Sequence, residues 1–375
     1  MLSVRRCGEA QSAATGRMKM DSSAPATNHD TVTPSLRSRV ITFIAIGEVG
    51  VIAALLLLVA FFYLVEPAFL SQRNVRAILN VVSFVGIIAI GQTILLVAGE
   101  FDLSVGSVAG VSAVVAAQLM TALQWPVPLA ILGGMGVGAF IGLINGIIVV
   151  KFRIPAFIQT LGMLFIGQGL IQLVTGGYPV YPLPKEVSEF GMSTLAFGLG
   201  WSFAFFIVMA VVADFVLRRT VLGRNLYATG GNPEVARLVG INTTIYKIGA
   251  FITVGALSAV AGMFVMADLQ SGTTSIGSGW ELIVIAGVVV GGVSLFGGAG
   301  TIAGGVVGIL MLKVVQSGLV VIGVNSNWQQ IAVGVIMVLA VGLDILRRRY
   351  FTVGVGAKTA AASKTEVQSS KTSGA

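Results

Sequence analysis

"VVSFVGIIAIGQTILLVAGEFDLSVGSVAG", residues 81–110, opens with eighteen residues that carry no charge and then sets Glu100 and Asp102 among glycines. A second apolar run, "VSAVVAAQLMTAL" (111–123), follows at once. A helix needs roughly 20 apolar residues to cross the hydrocarbon core of a bilayer. The two runs therefore read as consecutive spans, and the stretch between them as a break at a membrane helix end.

The rest of the chain repeats that pattern. Of its 375 residues 55% are hydrophobic, only 10% are charged and 49 are glycine; the mean hydropathy is +0.94. Soluble domains carry roughly 25% charged residues, so this chain has too little polar surface to cover itself in water. Ten spans are expected, at 44–65, 78–98, 104–123, 127–150, 156–175, 195–217, 246–267, 281–296, 301–322 and 328–346. Backbone groups in hydrocarbon must be bonded within their own segment, and the short alternating segments of a barrel are absent. The expected fold is an all-α, polytopic transmembrane helical bundle.

Residues 40–350 form the expected transmembrane domain, flanked by polar tails at 1–39 and 351–375 whose composition predicts disorder. The first tail lacks the apolar core of a signal peptide, which makes the first span an uncleaved anchor. The net charge of +8 does not mark a nucleic-acid binder, because its distribution follows the membrane. With the N-terminus in the cytoplasm, nineteen of the 23 Lys and Arg residues fall on cytoplasmic pieces, as the positive-inside rule requires. Trp125, Trp201, Trp280 and Trp328 then fall at outer span ends. Both tails are predicted cytoplasmic. One cysteine, Cys7, and one histidine, His29, leave no disulfide framework and no metal site built from those side chains.

The break at 99–106 admits two compatible readings. Asp102 can cap the following helix, with Ser104 beside it, while Gly99 and Gly106 permit a tight reversal and close helix approach. The same irregular backbone is tolerated at membrane depth where it lines a cavity. "VVGGVSLFGGAGTIAG" (289–304) is weakly similar, as a duplicated half would be. Polar residues also form stripes within spans: Gln168 and Gln172 on the fifth, Lys313 and Gln316 on the ninth. Each is either an interhelical hydrogen-bonding group or part of a solute path.

The longest inner connection is residues 218–247, "RRTVLGRNLYATGGNPEVARLVGINTTIYK". It contains a short helix with its punctuation written out. Asn232 fits the N-cap, Pro233 the first helical position, Glu234 the positive end and Gly240 the terminator. Val235, Leu238 and Val239 supply an apolar patch for a membrane surface or for a groove on a partner.

"GEFDLSVGSVAG", "GRNLYATGGNPEVARLVGIN", "GWELIVIAGVVVGGVSLFGGAGTIAGGVVG" and "NSNWQQIAVGVIMVLAV" together resemble the permease subunits of bacterial ABC importers for monosaccharides of the ribose, xylose and galactose type. The resemblance covers roughly residues 48–346. Glu100 and Phe101 stand where that family usually has Gly and Ile. The resemblance implies an inner-membrane, multi-pass protein with a second permease chain, a cytoplasmic ATPase and an exported sugar-binding protein as partners. It also implies that Gly223, Arg224, Asn225, Asn232, Pro233, Glu234, Arg237 and Gly240 form the element that couples to the ATPase. ATP would be used by that partner. The chain itself has no GxxxxGK[ST] phosphate loop, and it is expected to bind no cofactor. Competing readings are an ion-coupled secondary transporter and a permease of the same kind for a non-sugar solute.

Overall fold

The computed structural model describes residues 48–325, 327–339, 341, 342 and 345. The two polar tails, the beginning of the first expected span and part of the end of the last lie outside the described residues. Within them every expected span contains an apolar helix: α1 (Glu48–Val65), α2 (Gln72–Val97), α3 (Val105–Thr121), α4 (Val127–Lys151) and α5 (Ala156–Thr175) come first. After the short α6 (Lys185–Met192) and the long α7 (Trp201–Arg219) come α8 (Val221–Gly231) and α9 (Pro233–Leu238). The chain continues through α10 (Thr243–Asp268), α11 (Trp280–Val290), α12 (Ile302–Val321) and α13 (Asn327–Leu339). By length and composition α2, α4, α5, α7, α10 and α12 could each cross a membrane, whereas α1, α3, α11 and α13 are apolar but shorter. Among the described residues there is no strand, only two isolated bridges.

The long helices α2 and α10 form the centre, and α3, α4, α11 and α12 pack around them. Lipid is as apolar as leucine, so helices in it associate through close backbone packing rather than through hydrophobic burial. The sequence of α4 shows how. Gly134, Gly138, Gly142 and Gly146 recur every fourth residue and are all buried. A methyl group at Gly138 or Gly142 would run into the carbonyl of Gly255 or Phe251 on α10. This four-residue stripe lets α4 and α10 lie backbone to backbone.

Three spans depart from their expected bounds by about a turn and a half, the second by starting at Gln72 rather than 78. The eighth, expected over 281–296, ends as a helix at Val290, because Gly292, Gly297 and Gly298 adopt left-handed conformations and turn the chain. The sixth begins at Trp201 rather than 195. Trp280 is half-buried and packs against the two largest core clusters. The expected inner loop 218–247 is almost wholly helical, since α8 runs on from α7 after a cap by Thr220, whose hydroxyl accepts from the Gly223 amide.

Candidate functional site

A groove of about 500 Å³ opens between α3, α5 and the segment that leads into α11. Its polar wall is Ser107, Gln168, Gln172, Thr274, Ser278 and Glu281, and its apolar part includes Phe165, Ile171 and Ile276. Gln168 and Gln172 stand one turn apart on α5 and are exposed. They are the two expected path residues that the structure brings to this groove. The other two lie elsewhere: on α12 the Lys313 Nζ donates to Gln316 Oε1 at 2.9 Å, one turn on. Neighbouring Ser317 donates to Asn74 at 2.7 Å.

The floor of the groove is the start of α3, which the break at 99–104 sets in place. Gly99, at φ 83°, turns the chain out of α2. Asp102 does not cap α3 as the sequence suggests. Ser104 holds the N-cap position, with no side-chain capping bond. Asp102 Oδ1 instead accepts from both the amide and the hydroxyl of Ser104, at 2.6 Å each, forming a tight turn two residues long. Its Oδ2 accepts from Asn145 on α4 at 3.2 Å, and Asn145 also donates to Ser104 Oγ at 3.0 Å. Gln159 on α5 closes the network by donating to Asn145 Oδ1 at 3.1 Å. Asp102 and Asn145 are buried at 1% and 0% exposure, so these bonds replace water that neither side chain can reach. The network fixes α3 against α4 and α5.

As a result α3 begins well along its neighbours rather than level with their ends. Ser107 lies against Gly167 of α5, about 16 Å from the first residue of that helix at 1.5 Å per residue. The start of α11 arrives at the same level. A methyl group on Gly106 would meet the Gly277 carbonyl and Glu281 Oε2, and one on Gly277 would meet the Gly106 carbonyl. Gly106 thus permits close approach, as its place in the motif suggests. What it approaches is the beginning of a second interrupted helix.

The other end of the break meets the long polar segment 218–247. Gly230 in α8 has no space for a side chain, because a Cβ there would strike the carbonyl of Val97 and the amide of Gly298. The Gly298 amide donates to Val97 O at 3.0 Å, and Gly297 packs on both Gly99 and Gly230. The two similar motifs, 97–110 and 289–304, therefore meet across one residue of α8. Tyr227 adds a 2.6 Å bond from its hydroxyl to Gly300 O. Glu100, unusual at its position, forms a 2.6 Å ion pair with Lys247 at the start of α10, each side chain 17% exposed. Sequence reasoning missed this pair, as it missed Asn145, Gln159 and Glu281.

From this junction α9 projects. Asn232 Oδ1 accepts from the amides of Glu234 and Val235, both at 3.1 Å, and Pro233 takes the first helical position. Gly240, at φ 85°, ends the turn with its amide on Arg237 O. Arg237 is held by a 2.9 Å bond to Thr243 Oγ1, and Asn225 by a 2.6 Å bond to the Tyr246 hydroxyl. Gly223 is buried against the Leu217 carbonyl, while Arg224 and Glu234 are exposed. Only Ala236 of α9 faces inward; Val235, Leu238 and Val239 are 53%, 86% and 71% exposed.

Glutamines exposed on an apolar membrane helix suit a neighbouring chain or a solvated passage, features of membrane transport proteins. The chain belongs to the family described as branched-chain amino acid transport system / permease component, which matches residues 74–341. It is 36% identical to the L-arabinose ABC transporter permease protein of Azospirillum brasilense over 303 residues, 81% of this chain and 89% of that protein. It is 37% identical to the galactose/methyl galactoside import permease protein of Escherichia coli K12 over 320 residues, 80% and 94% of the two chains. With the ribose import permease protein of the same strain it shares 36% over 294 residues, 78% and 91%. No solved structure matches it. The chain is accordingly a transport component of the bacterial inner membrane.

Proposed function

We propose that this chain is the permease subunit of a binding-protein-dependent ABC importer for a monosaccharide. The observation that carries the reading is the identity of 36–37% with arabinose, galactose and ribose permeases, extending over about four fifths of the chain. We infer ten crossings with both termini inside from the distribution of Lys and Arg and from the six spanning helices together with the four shorter apolar ones. A second copy completes the path, and the exposed Gln168 and Gln172 face it or the water between the two copies. The cytoplasmic ATPase docks on α9 and the residue that follows it, where bare Val235, Leu238 and Val239 suit a groove on that partner. Its movement passes through the Gly230 junction to both breaks, and from there to the starts of α3 and α11.

The reading is tested by uptake of radiolabelled arabinose, galactose and ribose into proteoliposomes. Accumulation of one of them is expected only with the partner ATPase, the binding protein and ATP. Accumulation driven by a proton or sodium gradient, with the chain alone, would make it a secondary transporter.

A further inference from the structure

The groove has an electrostatic property that its polar wall alone does not reveal. Two helix starts, those of α3 and α11, converge on it: Gly106 in the first turn of α3 packs on Gly277, three residues before α11 begins. Each start carries free N–H groups and the positive end of a helix dipole, an arrangement that in membrane transporters attracts anions. Here Glu281, in the first turn of α11, occupies that position. Its Oε2 lies 2.7 Å from where a Cβ on Gly106 would stand, so one carboxylate reaches the first turns of both helices. Glu281 is the one ionisable side chain lining the groove among the described residues, and no Lys or Arg joins it.

We propose that this groove is the chain's own solute-contact site and that Glu281 is its charge filter. By compensating both helix starts, the carboxylate leaves a surface of hydroxyls and amides on Ser107, Gln168, Gln172, Thr274 and Ser278. That surface exchanges hydrogen bonds with a neutral polyhydroxylated solute in place of water, and it offers sugar acids and sugar phosphates no positive field to bind. The proposal rests on the permease reading above. It adds a location and a residue that determines specificity, separate from the choice made by any binding protein.

The test uses thiol labelling, which needs no turnover. Cys7, the one native cysteine, is replaced by serine, and Gln168→Cys or Gln172→Cys is introduced in membranes that carry the assembled transporter. Modification is followed with a cationic methanethiosulfonate (the ethyltrimethylammonium reagent) and an anionic one (the ethylsulfonate). With each rate divided by that reagent's rate on a free thiol, the intact groove is expected to show no preference for the anionic reagent, and Glu281→Gln should shift the ratio toward it on the order of tenfold, while Glu281→Asp keeps the original ratio. If Glu281→Gln fails to assemble, protection in the Glu281 background serves instead: a neutral monosaccharide should slow labelling and the corresponding sugar acid should not. A ratio unmoved by Glu281→Gln, or equal protection by sugar and sugar acid, would overturn the filter. Absence of labelling by either reagent would overturn the site. Loss of the permease reading itself would show separately, as uptake that needs no ATPase.

Discussion

Gly230 has a carbonyl oxygen where any other residue would place its β-carbon. Replacing it by alanine forces apart three backbone segments, at 97–99, 230 and 297–298, none of which can yield as a flexible side chain would. Overpacking of this kind costs about 1–3 kcal/mol, and here it falls on the contact between α8 and both breaks. Gly136 in α4 is the control, with open space for 4 Å around the position a Cβ would take. Gly230→Ala is expected to lower the thermal stability of the detergent-extracted chain by several degrees, and Gly136→Ala to leave it unchanged or slightly raised. Fluorescence-detected size-exclusion after heating reads both. Glu100 acts at the same junction: a charge foreign to its motif is met by Lys247, which lies 147 positions along the chain. Partners that far apart leave no local signal, so the carboxylate reads as an anomaly until the fold closes.

At the scale of elements, α9 combines a firmly capped helix with an apolar surface that the chain does not bury. A helix of six residues is marginal by itself in water; the Asn232 cap and the Arg237–Thr243 bond hold it ready. Leu238, at 86% exposure, contributes little to the chain's own packing. Leu238→Glu should therefore leave expression and thermal stability intact while weakening co-purification with the ATPase at least tenfold. Undiminished co-purification would remove α9 from the docking surface. The legibility of this element has a plain cause: Asn232, Pro233 and Gly240 act on backbone groups within a few residues of themselves, and short-range chemistry is written in short-range sequence. The neighbouring α8 is hidden for the opposite reason. Its Gly230 and Gly231 look like a loop, and tertiary contacts, not propensity, keep them helical. Asp102 shows the same limit, because its choice of Ser104 and Asn145 over the helix amides depends on where α4 comes to lie. Gln168 and Gln172 stand out as polar residues on an apolar helix, whereas Glu281, at the start of what reads as an ordinary span, gives no sign of reaching Gly106.

Considered as a whole, the molecule joins the exposed helix α9 to an open polar groove through contacts that are mostly backbone on backbone. Such contacts transmit displacement because they have little room to deform. The chain of connection runs from α9 to α8, through Gly230 to the breaks at 97–104 and 291–300, and on to the starts of α3 and α11 beside Glu281. The measurement that tests this most directly compares the intact transporter with one carrying Val235→Pro, which removes an amide that Asn232 caps. Sugar uptake and ATP hydrolysis are followed together in proteoliposomes containing the chain, its ATPase and its binding protein. The account predicts that the variant inserts normally, that its sugar uptake falls at least tenfold, and that ATP hydrolysis no longer responds to the loaded binding protein. Uptake and stimulated hydrolysis that both persist at the level of the intact protein would contradict it.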